Sequence, residues 1–197
     1  MGKGPVLWLA FCTAILATVI VATPVVASAY VEGRVVADAT SGPSAGGEVL
    51  ASVALNTPES RMLTLINNAR ADRGLRRLRV RASLCRAAEA HSASMLRLGY
   101  FSHSSASGET YAQRILRYGY SRTGCSYWSV GEVLGWGAGS TAGSARAIFR
   151  AWMGSTAHRT TIFAKRWRDV GIGMRRGSYA GIADVRMFAV DFGRRIY

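Results

Sequence analysis

Val170-Gly171-Ile172-Gly173-Met174 and Val185-Arg186-Met187-Phe188-Ala189-Val190-Asp191-Phe192 are the last two β-rich stretches of the sequence. Residues 175–181 between them read as a hairpin loop. Upstream the period changes. Residues 142–153 form a helical pattern with Ala145, Ile148, Phe149 and Trp152 on its inner side. Residues 128–137 (WSVGEVLGWG) have the alternation and glycines of a bent strand, and residues 111–118 make a short helix before Gly119. A longer helix is capped by Ser83, repeats Leu84, Ala87 or Ala88, His91, Met95 and Leu98, and stops at Gly99. The first helix opens on Thr57-Pro58-Glu59, a capping hydroxyl, a first-turn proline and an acid at the positive end of the dipole. Met62, Ile66, Ala69 and Arg73 mark one face of it before Gly74. Helices come first, strands come late with hairpin connections, and parallel βαβ alternation is missing. That order predicts an α+β fold with an antiparallel sheet.

The 197 residues have room for one ordinary domain with short extras. Residues 30–56, with SGPSAGGE at their centre and no sustained period, read as a flexible linker, which leaves 57–197 as the domain. Residues 6–26 are apolar, preceded by Lys3 and followed by Ala27-Ser28-Ala29. A basic start, an apolar run and an Ala-x-Ala site make residues 1–29 a secretory signal peptide cleaved after Ala29. The rival reading is an uncleaved membrane anchor, since the run is long enough to cross a bilayer. Thr13, Thr18, Thr23 and Pro24 dilute it, and the Ala-x-Ala site favours cleavage. The mature chain is then secreted, with no membrane span. Of the three cysteines, Cys12 departs with the leader, and Cys85 and Cys125 remain as an even pair, the arithmetic of one disulfide in an exported protein.

The formal net charge is +14, and nearly all the positive charge is arginine, only Lys3 and Lys165 being lysines. Such a field attracts nucleic acid, anionic lipid or acidic cell-wall polymers. The arginines are scattered and no nucleic-acid motif accompanies them. Walker loop, GxGxxG and HExxH patterns are absent from the sequence.

Several fragments carry a family likeness in order: Leu65-Ile66-Asn67-x-x-Arg70 with Arg73-Gly74-Leu75 and Leu78; Ala88-x-x-His91-Ser92-x-x-Met95; Gly99-Tyr100-Phe101-Ser102-His103; Arg114-Ile115 and Gly119-Tyr120; Trp128-Ser129-Val130-Gly131-Glu132; Ala151-Trp152-Met153-x-Ser155-x-x-His158-Arg159; and Val170-Gly171-Ile172-Gly173 with Phe192-Gly193. From about Glu59 to Gly193 the chain resembles bacterial proteins of the CAP (SCP/PR-1-like) superfamily. The resemblance implies an α-β-α sandwich with a central antiparallel sheet, and a cleft lined by histidines and one or two glutamates. Carried over, the cleft residues are His103, Glu132 and His158, with His103 and His158 as ligands of zinc or another divalent metal. Glu132 either ligates or acts as a base. Val133 stands where the family has Asn after the glutamate, Thr156 replaces a Pro, and the second acid of the eukaryotic tetrad falls near Ser155, which cannot ionise.

The residues themselves sharpen this. Glu132 lies between strand-like hydrophobics, where a lone carboxylate is costly, so it needs a partner and a histidine suits it. His103 sits in a loop and His158 after Thr156-Ala157, where the plain alternatives are a solvated ring and a turn contact. His91, on the inward face of an alanine-rich helix, reads as a hydrogen-bonded core residue, and Glu109 as a helix-dipole partner. The leading functional expectation is a secreted binding module for a lipid, a cell-wall component or a protein. The alternatives are a metal-assisted, peptidase-like hydrolase, for which no separate nucleophile is visible, and a polyanion-binding basic protein.

Overall fold

The computed structural model describes residues 29–34 and 54–197, the first stretch by its backbone. The leader expected over 1–28 and linker residues 35–53 lie outside the described residues. In chain order the elements are β1 (Ala29–Arg34), α1 (Thr57–Ala71), β2 (Arg79–Val80), α2 (Ala82–Leu98), α3 (Tyr111–Arg117), β3 (Tyr127–Ala138), α4 (Gly139–Ala142), α5 (Ala145–Gly154), α6 (Thr156–Ile162), β4 (Asp169–Tyr179) and β5 (Ile182–Ile196).

Local chemistry sets the helix ends. Asn56, not Thr57, caps α1: its side chain accepts the Glu59 N–H at 3.0 Å while the Glu59 carboxylate accepts the Asn56 N–H at 3.0 Å, a reciprocal box. Glu59 also accepts the Met174 N–H at 2.9 Å, which ties the start of α1 to β4. α2 begins at Arg81 without a side-chain cap, and Ser83, expected as the cap, is buried inside its first turn. α2 ends on Gly99, whose φ of 66° is the left-handed conformation that closes helices and favours glycine. α5 starts three residues later than expected, because Ser144 caps it by accepting the Ala147 N–H at 3.1 Å.

The sheet order is β1-β3-β5-β4-β2 among the described residues. β3, β5 and β4 pair antiparallel as expected, while the two-residue β2 joins β4 in parallel at one edge. β1 pairs antiparallel with β3, Ala29 against Glu132 through Arg34 against Tyr127, so residues 30–34 are strand where a linker is expected. The hairpin is also longer than expected. β4 and β5 run on to Tyr179 opposite Ile182, leaving Ala180 and Gly181 as a two-residue turn with φ of 51° and 77°. Two positive-φ residues match the right-handed strand twist, and this is the usual shape of so short a connection.

Strand alternation divides the core. Val133, Val170, Ile172, Phe188, Val190 and Phe192 face α1, α5 and α6, together with Met62, Ile66, Ile148 and Trp152. Trp128, Val130, Leu134, Met187 and Ala189 face α2 and α3. The result is the expected α-β-α sandwich. On the α2 side β4 presents Gly171 and Gly173. A Cβ on Gly171 would lie 2.1 Å from the Leu84 carbonyl carbon, and one on Gly173 would lie 2.2 Å from the Glu89 nitrogen. Glycine at both positions lets α2 lie against the strand backbone.

The expected Cys85–Cys125 disulfide is not formed: both thiols are free and buried. Cys85 lies early in α2 with its thiol toward the Ile172 backbone of β4. Cys125 precedes β3, its sulfur 3.9 Å from the Thr123 carbonyl oxygen.

Candidate functional site

Glu132 lies in the middle of β3 on the face toward α2 and α3, fully buried. Its Oε1 is 2.8 Å from His103 Nδ1. Its Oε2 accepts from Arg114 Nη2 at 2.5 Å. Arg114, on α3 and 1 % exposed, also donates to the His103 carbonyl oxygen at 3.3 Å and to Ser105 Oγ at 3.0 Å. One guanidinium thus fixes the carboxylate and the backbone of the loop that carries the histidine. Thr110 and Gln113 close a capping box at the start of α3 and orient that helix. The His103 ring meets the Tyr111 ring edge-on, with centroids 6.2 Å apart.

Directly across the β3–β5 ladder from Glu132 is Asp191, also fully buried. Burial pushes the Asp191 carboxyl well above the usual range, and the charge on Glu132 pushes it further. Burial alone would raise Glu132 too, but the His103 contact and the Arg114 cation outweigh it and hold Glu132 low. Like charges this close resist ionising together in a dry site, which drives the two carboxyls apart, Asp191 up and Glu132 down.

His158 is in α6 rather than in a turn following a helix; Ser155 Oγ caps that helix, accepting the His158 N–H at 3.5 Å. The ring is 2 % exposed and stacks on Trp152 with centroids 6.2 Å apart. The Leu134 carbonyl, which also accepts from Trp152 Nε1 at 2.8 Å, is the one backbone partner near the ring among the described residues, and it leaves at least one ring nitrogen without a hydrogen bond. Burial lowers the His158 pKa to about 4, and His103 contributes to the drop.

The structure brings two of the three residues into direct contact, His103 with Glu132, while His158 is coupled to His103 only through charge. Among the described residues no three His, Cys, Asp or Glu side chains are arranged to hold a metal ion. His91 is the core histidine expected, with Nε2 2.8 Å from the Ser102 carbonyl oxygen. Glu109 turns away from His103 and accepts from Arg117 at 2.7 and 2.9 Å. Val133 is core, and Ser155 serves as a cap. Arg114 and Asp191 were not singled out as site residues. Asp191 alone carried a readable signal, an acid inside an apolar strand.

Residues 63–188 match the family described as CAP, the cysteine-rich secretory protein family. The chain belongs to the CAP family. Among solved structures, this CAP domain is similar to an extracellular SCP-domain protein of Bacillus anthracis, at 22% identity and a TM-score of 0.56. That match covers 70% of this chain and 40% of the other, so the chain spans about two fifths of that relative's length. It is similar in the same degree, 22% identity and TM-score 0.56, to an outer surface protein of Borrelia burgdorferi, over 72% of this chain and 96% of that one. A cysteine-rich secretory protein of Staphylococcus aureus shares the fold at 14% identity and a TM-score of 0.50, over 70% of this chain and 38% of that one. No curated protein matches the chain. No helix among the described residues is long and apolar enough to cross a membrane.

Proposed function

We propose that this CAP domain is a secreted binding module, acting at or outside the cell envelope on a lipid, cell-wall or protein ligand, and that its ligand is recognised at the His103, Glu132 and His158 cleft. The observation that carries this reading is the His158 ring, buried with at least one nitrogen lacking a hydrogen bond, alongside a His103–Glu132–Arg114 relay in which both carboxylate oxygens are engaged. An unpaired polar group in such surroundings costs free energy, and a bound group that satisfies it recovers that cost.

Binding is favoured over hydrolysis by the state of the reactive groups. The Cys85 thiol is pushed up to about 11 by burial, and the Cys125 thiol is raised by the same cause. Glu132 has both oxygens engaged, which leaves it poorly placed to accept a proton from water.

The nitrogen donors that the chain offers a divalent metal are two imidazoles, His158 and a His103 oriented through Nδ1 by Glu132, the latter a pairing common around bound zinc. A metal held there would supply a Lewis-acidic contact for an anionic ligand group. With only two nitrogen donors its affinity is modest. Zinc titration by calorimetry on wild type, His103→Ala and His158→Ala tests this, with binding expected only for wild type. Equal binding by all three places the metal elsewhere, and no binding by any leaves a polar pocket without a cofactor. Metal-dependent turnover of a peptide substrate would overturn the binding reading in favour of hydrolysis.

A further inference from the structure

A second concave site lies on the other side of the sheet's midline. Where β4 begins and β5 ends, a cavity of about 430 Å³ is lined by seven arginines, Tyr197 and Asp169, the one carboxylate side chain among the lining residues. The arginines come from three separate stretches: the connection from α1 to α2 with Arg76, Arg79 and Arg81, the residue ahead of β4, Arg168, and the end of β5 with Arg194 and Arg195. Scattered in sequence, they converge only in the fold.

Asp169 offsets part of this charge, mainly that of Arg81. It is buried, and its carboxylate is shared by Arg81 Nε at 3.0 Å, the Tyr120 hydroxyl at 2.9 Å and, more distantly, Arg79 at 3.8 Å. Several of the cations are held in place before any ligand arrives. Arg168 Nη1 donates to the carbonyls of Lys165 and Trp167, both at 2.8 Å. Arg195 lies over the Tyr120 ring, 4.3 Å from its centroid. Burial lowers the Arg168 pKa, and Arg194, Arg76 and Arg79 lower it further, the mark of like charges crowding one place. An ordinary solvated arginine face is convex and free to spread its charges. This one is concave and anchored.

We propose that this arginine-lined cavity is a binding site for clustered phosphate groups, presented by a soluble polyphosphate or by the headgroups of an anionic lipid. Planar guanidinium forks arriving from different sides match the tetrahedral oxygens of adjacent phosphates, and pre-fixed side chains lose little entropy on binding. A volume of about 430 Å³ lies within the range of small-ligand pockets. The cavity shares no residue with the His103, Glu132 and His158 set.

The test is calorimetry with sodium tripolyphosphate and with orthophosphate, alongside sedimentation with phosphatidylglycerol–phosphatidylcholine vesicles. It uses wild type, Arg79→Glu/Arg194→Glu, the milder Arg79→Gln/Arg194→Gln, and a control pair, Arg61→Glu/Arg146→Glu, with the same change of net charge at exposed positions elsewhere. Expected is tripolyphosphate binding about tenfold tighter than orthophosphate, weakened at least about tenfold in the Arg79/Arg194 pairs and changed less than about threefold in the control. Vesicle binding that tripolyphosphate displaces identifies a lipid headgroup as the source; tripolyphosphate binding without vesicle binding identifies a soluble one. No tripolyphosphate binding by wild type, or equal loss in the Arg79/Arg194 and control pairs, overturns the proposal, the second because net charge alone then explains the attraction.

Discussion

Glu132 and Asp191 face each other across adjacent strands as fully buried carboxyls, Asp191 pushed toward its protonated form and Glu132 held toward its ionised one. The groups around them are His103 from the loop, Arg114 and Tyr111 from α3, and His91 and Cys85 from α2. Asp191 keeps a proton in the folded state that it loses when unfolded. The native state therefore binds more protons, and this group makes stability fall as pH rises above about 4. Asp191→Asn keeps a donor toward Glu132 and removes the titration. In metal-free protein its stability relative to wild type should rise as pH increases above about 4 in urea unfolding, and level off once Asp191 of the folded wild type ionises. A difference that does not change with pH would show that Asp191 is ionised in the native protein.

His91 acts with the opposite sign. Burial, more than any neighbouring charge, lowers its pKa to about 4. Above about pH 6.5 the ring is neutral in both states and costs nothing. As pH falls toward 4 only the unfolded chain takes the proton, so stability drops by up to about 3 kcal/mol. The His91 ring resonances in NMR should stay in the neutral form at pH 5. Titration of that ring with a midpoint near 6.5 would contradict the buried environment described.

Gly173→Ala and Gly177→Ala should separate cleanly. A Cβ at 173 meets α2 backbone, 2.2 Å from the Glu89 nitrogen, whereas at 177 it meets only Leu96 Cδ1 at 3.3 Å. The first substitution forces α2 off the sheet and should cost about 3 kcal/mol, at the upper end of overpacking effects; the second should cost less than about 1 kcal/mol, since Leu96 can rotate. Denaturant midpoints measure both, and equal losses would mean that α2 does not lie against β4 as described.

The cysteines give a chemical check on the fold. Without reductant, a thiol reagent should find neither Cys85 nor Cys125 in the native domain and both once it is unfolded in guanidinium, since burial hides and protonates them. Failure to label either cysteine in unfolded, unreduced protein would establish a disulfide between them.

What the sequence disclosed follows the range of the physics involved. Helix ends were legible where one residue decides them, as at Gly74, Gly99 and Gly119, all with positive φ. The cap at Asn56 was missed by one residue because Thr57 offers equivalent chemistry next door. Residues 175–178 looked like loop from their polarity, yet they continue a ladder with β5, a pairing visible only from the partner strand. His103 and Glu132 were reached through family likeness, since nothing in their spacing announces a contact. Asp191 escaped because an acid in an apolar strand advertises a need for a partner without naming it; the name comes from strand register. Parity suggested joining Cys85 to Cys125, but parity carries no distance.

The pairing of β1 with β3 bears on where the protein can be cut. Ala29–Arg34 covers the outer edge of β3 from Tyr127 to Glu132, and the family match begins only at residue 63. A fragment trimmed to Thr57 would leave that row of amide and carbonyl groups bare, a template for the matching edge of a second molecule. Such a fragment gains a route to self-association, and the foreign strand would settle beside the segment that carries Glu132.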